Sequence, residues 1–386
     1  MHHVYSFALL IIAIISPQLY QQGHLFWAFR KNAPSTLERR HMPYQFEVKL
    51  ADKVKNCEDH VLDEQSGWAI LSCDFSRDKW NAVMGFYRNH DTTEGGIFLY
   101  DYARRHSIDG KLVHVQLMDY PLAGTDFHPL GIHYHAPSQR LLVANNAKAG
   151  NRIEVFKLYM DEGVATHIKT IRDVHLPAPN SIHALNEHEF YVTNDHYFTH
   201  RQNTMLNHIE TLLAIPIAGI HHVDISREEV QVKAVARHPF ANGIAQLNDT
   251  TWAVSSTSSA TVRFYHVDPK SKKWTKKESI SLPFFPDNLS VDQEGTLFIA
   301  GHPHLLSLKK VVKSRVECNS PEERDTEKCR KMSAPSHVVS WTRDGGVQDI
   351  YVDDEFWAST TASRDSEAKM GLVSGLYGDG ILVWHE

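Results

Sequence analysis

An all-β chain closed into a six-bladed propeller is the architecture this sequence predicts, on three observations. First, residues 179–198, Pro-Asn-Ser-Ile-His-Ala-Leu-Asn-Glu-His-Glu-Phe-Tyr-Val-Thr-Asn-Asp-His-Tyr-Phe, read as an apolar strand, a polar turn and a returning strand, and this frame recurs along the chain. Second, the copies start 45 to 72 residues apart, the spacing of units that bury their faces only against neighbours. Third, long helical periodicity is scarce, whereas short alternating runs such as 112–117 and 261–267 are bounded by turns such as Asp344-Gly345-Gly346.

Taken in order, the frame opens at Glu58, with His60 two residues on and Ile70 twelve on. It opens again at Leu130 (Ile132, Leu142), Asn180 (Ile182, Val192), Asn242 (Ile244, Val254) and Asp287 (Leu289, Ile299). A sixth, imperfect copy begins near Ser359 and closes on Gly371-Leu372-Val373. In a propeller these opening positions start the innermost strand of each blade and face one central channel. Glu58, Asn180, Asn242 and Asp287, joined by Asn288, offer only oxygen, the ligand set of a hard cation, and calcium is the expected ion. Asn and Asp also open strands by satisfying turn backbone; their recurrence in one frame is what favours ligands.

These residues resemble the paraoxonase/arylesterase family of calcium-dependent six-bladed propellers that hydrolyse lactones and aryl esters. The resemblance is carried by Cys57-Glu58-Asp59, Phe127-His128-Pro129-Leu130-Gly131-Ile132, Thr193-Asn194-Asp195-His196-Tyr197-Phe198, Phe240-Ala241-Asn242-Gly243-Ile244, Asp287-Asn288-Leu289-Ser290-Val291-Asp292 and Gly301-His302-Pro303. It implies a catalytic calcium on Glu58, Asn180, Asn242, Asp287 and Asn288. It implies a second, structural calcium on Asp59, the carbonyl of Ile132 and an aspartate where this chain has Ser181. It also implies a histidine pair that activates water, but those two positions are Leu130 and Asn146 here. By family position the remaining bases are His196, which follows Asp195, and His302.

At 386 residues and 42% apolar composition the chain can bury one large core, and the repeat decides for one domain over two. A formal charge of −6, with no basic stripe, excludes a nucleic-acid partner. Residues 1–29 contain an uncharged apolar run, 4–15, too short to span a bilayer, and are expected to be a signal peptide or an uncleaved anchor of a secreted or membrane-anchored protein. Residues 30–47 read as a linker and 48–386 as the propeller. Four cysteines allow three connectivities. Cys318 and Cys329 bracket a charged excursion, and Cys57 and Cys73 flank the first hairpin frame; unpaired burial is the alternative. The resemblance implies a link from the first cysteine to the C-terminal strand, which is not expected here because Val383-Trp384-His385-Glu386 contains no cysteine.

Of two glycosylation sequons, Asn248 lies in an expected turn and Asn288 is an expected ligand. The 26 histidines include His133 with His135 and the pair His221-His222, but no zinc frame, and there is no Gly-x-Ser-x-Gly elbow. Residues 201–213 are the best helical stretch; the resemblance implies a helix there that covers the channel mouth and contacts lipid. The expected function is hydrolysis of a small-molecule ester or lactone, with channel calcium acting as Lewis acid on the carbonyl. The competing expectation is a non-hydrolytic or strictosidine-synthase-like calcium-binding propeller that has lost its base.

Overall fold

The computed structural model describes residues 16–27, 29–88, 95–107, 110–320, 322–323 and 325–386. The apolar run 4–15 lies outside the described residues. Alternation in the sequence becomes six antiparallel sheets arranged as a six-bladed β-propeller. Their innermost strands are Cys57–Asp63, Pro129–His135, Pro179–Ala184, Ala241–Asn248, Phe285–Val291 and Ser359–Asp365, numbered here as blades 1 to 6. Apolar faces meet between blades: Ile70, Leu99, Ile132, Val143 and Phe156 pack blade 1 on blade 2, and Phe264, Leu289, Ile299 and Val339 pack blade 4 on blade 5.

Each innermost strand carries one extra residue relative to its partner. Pro179 pairs with Asn194 and Ile182 with Val192, so Asn180 and Ser181 stand opposite a single residue. The same irregularity occurs between Cys57 and Asp59, Pro129 and Ile132, Ala241 and Ile244, Pro286 and Leu289, and Ser359 and Thr361. A bulge bends the strand and re-aims the side chain it carries, here at Glu58, Leu130, Asn180, Asn242, Asp287 and Thr360. The expected pairs two and twelve residues on hold in blades 3, 4 and 5, as Ile182↔Val192, Ile244↔Val254 and Leu289↔Ile299. In blades 1 and 2 they slip by one, to Val61↔Ile70 and His133↔Leu142. Blade 6 corrects the sixth opening from Ser359 to Thr360, since Ser359 pairs with Gly375 as Cys57 pairs with Cys73.

Inner strands approach closely where they carry glycine. A Cβ on Gly243 would lie 2.5 Å from the backbone nitrogen of Leu289, so only glycine fits between blades 4 and 5 at that point.

The segment expected as a linker contributes sheet edges. Arg40–His41 adds to blade 5, and Gln45–Lys49 pairs with Ile381–His385, so that the N-terminal strand completes blade 6 and closes the ring. Phe46 packs with Trp384 and Tyr351 in the core of that seam.

Both disulfides join the cysteines nearest in sequence, Cys57 to Cys73 and Cys318 to Cys329. Asn248 is exposed at its hairpin turn, whereas Asn288 is buried. Over the channel mouth lie a helical segment at 16–27, the helix His200–Leu212 and the start of the helix Leu305–Cys318. Among the described residues no helix is long and apolar enough to cross a membrane.

Candidate active site at the channel mouth

Five of the six bulge positions, Glu58, Leu130, Asn180, Asn242 and Asp287, border one cavity of about 620 Å³ at the channel mouth. Each amide is oriented by what its nitrogen touches. Asn180 Nδ2 donates to Asp195 Oδ2 at 3.3 Å and Asn242 Nδ2 to Thr257 Oγ1 at 3.0 Å. Asn288 Nδ2 donates to Glu58 Oε1 at 3.2 Å and to Thr361 Oγ1 at 3.0 Å. The amide oxygens are left over. Glu58 Oε2, Asn180 Oδ1, Asn242 Oδ1 and Asn288 Oδ1 are all buried without a hydrogen-bond partner.

Four orphaned oxygens beside a second carboxylate, Asp287, form an arrangement that is costly as it stands. The charge pattern agrees. Burial first, then the neighbouring carboxylates Asp287 and Asp59, hold the Glu58 carboxyl well above the usual carboxylate range, and the Arg77 guanidinium only partly offsets them. A divalent cation would answer both the unpaired oxygens and the adjacent negative charges, so the donor set fits a hard ion of the calcium type. Among the described residues no three His, Cys, Asp or Glu side chains converge on a metal-sized site, so such an ion would depend on the amide oxygens.

The second set of expected ligands meets differently. Asp59 Oδ1 accepts from the backbone N–H of His60 and from Thr361 Oγ1, each at 2.8 Å, and Oδ2 accepts from the N–H of Ile132 at 2.8 Å. The carboxylate is thus engaged by protein donors, and Ile132 turns its N–H toward it, not the expected carbonyl. Burial still pushes Asp59 up to about 6. Ser181 donates its backbone N–H to Thr193 Oγ1 and borders a separate polar cavity of about 180 Å³ that Asp59 and Ile132 also line.

The two histidines expected as bases stand behind the expected ligands Asp287 and Asn180. His302 Nε2 donates to Asp287 Oδ2 at 2.9 Å, while its Nδ1 is sealed from solvent and has no partner. His196 Nδ1 donates to Asp195 Oδ1 at 2.8 Å and its Nε2 faces Thr211 Oγ1 at 2.7 Å. Neither ring offers a nitrogen to water, so their place is to fix Asp287 and, through Asp195, Asn180. Leu130 is buried in the cavity wall, and Asn146 lies beside it in a narrow recess. His133 meets His183 ring to ring, with centroids 4.4 Å apart, and His221 Nδ1 lies 3.0 Å from Asn194 Nδ2, both away from the channel-mouth cavity.

Sequence reasoning passed over His200 and His208, which the helix His200–Leu212 carries over the cavity. That helix is set by a capping box between Thr199 and Gln202, and by the buried Glu210 carboxylate, which accepts from the backbone N–H groups of Tyr197 and Phe198. The clue was in the sequence: a histidine one residue past the N-cap that follows Asp195-His196-Tyr197-Phe198. Apolar side chains from three helices, among them Phe26, Leu212 and Leu306, complete the rim, and Gln22 ties the N-terminal helical segment down by donating to the Ser258 carbonyl at 2.8 Å.

A family model described as arylesterase matches residues 72–323. Human serum paraoxonase/arylesterase 1 is 36% identical over 186 residues, 47% of this chain and 50% of that protein. Rabbit serum paraoxonase/lactonase 3 is 28% identical over 306 residues, 78% of this chain and 81% of that protein. The match thus spans only half the length of the human relative. Among solved structures, a gluconolactonase from Xanthomonas campestris superposes with a TM-score of 0.53 at 13% identity, covering 90% of this chain and 91% of its own. A luciferin-regenerating enzyme superposes with a TM-score of 0.51 at 11% identity, covering 89% and 95%. At those identities the two structures speak to the propeller fold alone.

Proposed function

The chain belongs to the arylesterase family, and from that premise we propose that it is a calcium-dependent hydrolase of carboxylic esters and lactones. The observation that carries the reading is the set of orphaned oxygens on Glu58, Asn180, Asn242 and Asn288 beside Asp287. When bound there, calcium supplies Lewis-acid polarisation of the substrate carbonyl and stabilises the charge that develops on its oxygen.

The protein's own part is placement. Glu58 and Asp287 bring two negative charges, and three neutral amides bring oxygen without adding charge. Thr257, Thr361, Asp195 and His302 hold the ligand side chains in orientation from behind, which is how an outer layer tunes a metal site. The cavity wall above them is mostly apolar, with Leu130, Met84, Phe240, Phe285 and Leu305, and suits an uncharged acyl or aryl group while excluding bulk water. One ion is proposed, not two, because Asp59 is already engaged by three protein donors and Ser181 brings no charge.

Two disulfides support folding in an oxidising, secretory compartment. Exposed Tyr20, Phe26 and Trp27, with Met205, Ile209 and Leu212, support contact of the mouth with a lipid surface, as expected of the N-terminal segment and residues 201–213.

Purified protein assayed on phenyl acetate and on simple lactones should turn over with calcium, stop with chelator and recover on calcium return. Leu130 and Asn146 favour the second reading, a calcium-binding propeller without hydrolysis. Absence of turnover across the panel in calcium-loaded protein would decide for it.

A further inference from the structure

Hydrolysis by water needs two proton transfers, one off the attacking water and one onto the departing oxygen. The residues assigned so far hold ligands in place and move no proton. Leu130 and Asn146 cannot serve, His196 has both nitrogens engaged, and His302 has one nitrogen on Asp287 and the other sealed. His208 borders the cavity from an exposed position on the outer turn of its helix.

His200 is different. It is half-buried at the first position of the helix His200–Leu212 and borders both the channel cavity and the recess that Asn146 and Asp195 line. Its ring contacts are to His208, with centroids 5.2 Å apart, and to the backbone at Gly85, where any Cβ would lie 2.5 Å from the imidazole. With φ of +64°, Gly85 is in the conformation glycine favours, so the chain leaves this space for the ring. The recess leaves about 10 Å³ open to the centre of a water molecule, about the least that holds one, and Asn146, Asp195 and Asn207 are among its lining.

We propose that His200 is the proton-transfer residue of the channel, acting from the roof on a water that attacks a carbonyl held at the floor. The proposal rests on the hydrolase reading. As the water oxygen bonds to the carbonyl carbon, His200 takes one of the water's protons and the carbonyl π pair moves onto oxygen. When the C=O re-forms, the bond to the alkoxy or aryloxy group breaks, and the departing oxygen takes the proton back from His200. The imidazole ends neutral, and acid and alcohol are the only products. Burial first, then His196, His208 and Lys309, push His200 down to about 4 against the opposing pull of Asp195, so the ring is neutral near pH 7 and a weaker base than a free imidazole.

The test uses full-length calcium-loaded protein. His200→Gln should lower kcat on phenyl acetate by roughly 10²-fold or more while KM and calcium affinity by calorimetry stay within about twofold, and added imidazole should restore part of the rate. Diethylpyrocarbonate followed by peptide mapping should modify His200 while His196 and His302 stay protected, a readout that needs no turnover. Wild-type activity with an unaffected His200→Gln variant overturns the proposal alone, as does loss of rate together with calcium binding and without imidazole rescue. A wild type inactive on every ester and lactone overturns the hydrolase reading and this role with it. If His200→Gln fails to fold, the rate at which diethylpyrocarbonate inactivates the wild type decides: it must match the rate of His200 modification, and inactivation that runs ahead of it overturns the proposal.

Discussion

Asn180 rests its amide nitrogen 3.3 Å from Asp195 Oδ2 and so keeps its amide oxygen for the channel. A carboxylate only accepts, so Asp195 dictates which end of the amide turns inward. Asp195→Asn removes that instruction with almost no change in volume. We expect calcium affinity to fall roughly 10- to 100-fold, as for other outer-layer changes, with the fold retained. Calorimetry that finds unchanged affinity would show that Asn180 is oriented by something else.

Glu58→Gln separates the ion's contribution from the protein's. In metal-free protein burial and the neighbouring Asp287 and Asp59 oppose ionisation of Glu58, so replacing the carboxyl by a neutral amide, which never carries that cost, should raise the melting temperature. In excess calcium the order should reverse, because only the wild type gains binding energy, about 2.7 kcal/mol at a hundredfold excess over Kd. Melting curves of both proteins with calcium and with chelator test the crossing. Identical wild-type curves under the two conditions would remove calcium from the channel.

Ser181→Asp should add a second calcium-binding event, because it places a carboxylate in the cavity that Asp59 and Ile132 line. The unaltered protein should titrate with one tight site. Two tight sites in the wild type would mean that Asp59 gives up its protein donors more readily than its three hydrogen bonds suggest.

His60 sets an acid limit. Its ring lies between Ser374 Oγ at 2.9 Å and Ser363 Oγ at 2.6 Å, with no carboxylate on either nitrogen, and burial pushes it down to about 3. The unfolded chain therefore binds a proton near pH 6.5 that the folded protein refuses. The stability this confers is complete above that value and is lost as pH falls toward 3. At pH 5 the loss amounts to about 2 kcal/mol relative to pH 7. Denaturant unfolding at the two pH values should show it, and His60→Asn should reduce the difference. An equal pH dependence in the variant would assign the acid limit to other groups.

The set of oxygen-bearing side chains at the channel mouth was legible in the sequence because one frame must deliver one residue per blade to the same axis, and Glu58, Asn180, Asn242 and Asp287 all open that frame. The exact register was not. Whether the bulge resolves as two residues against one, as in blades 2 to 5, or as one against none, as in blades 1 and 6, is a backbone matter, so Ser359 read as the sixth opening where Thr360 holds it. The edge strands within 30–49 are short and pair with residues more than 300 positions away, a distance at which no local pattern reports pairing. What the two histidines touch was not legible for a related reason. His196 and His302 have the right chemistry and position, but which nitrogen is engaged and which is sealed depends on Thr211, Asp195 and Asp287 converging from separate elements.

The pairing of Gln45–Lys49 with Ile381–His385 also fixes when this protein can exist during its synthesis. The first of these strands leaves the ribosome early and has no partner until residue 381 follows, a wait of roughly 15 to 70 s at ordinary elongation rates. Until then an exposed strand and an open sixth blade face each other across an unfinished circle, both available to another chain. A product stopped just before Ile381 would carry the oxygens of Glu58, Asn180, Asn242, Asp287 and Asn288 and still lack the strand pairing that completes blade 6. The sites and the closure are encoded apart, and a nearly full-length chain can possess the first without the second.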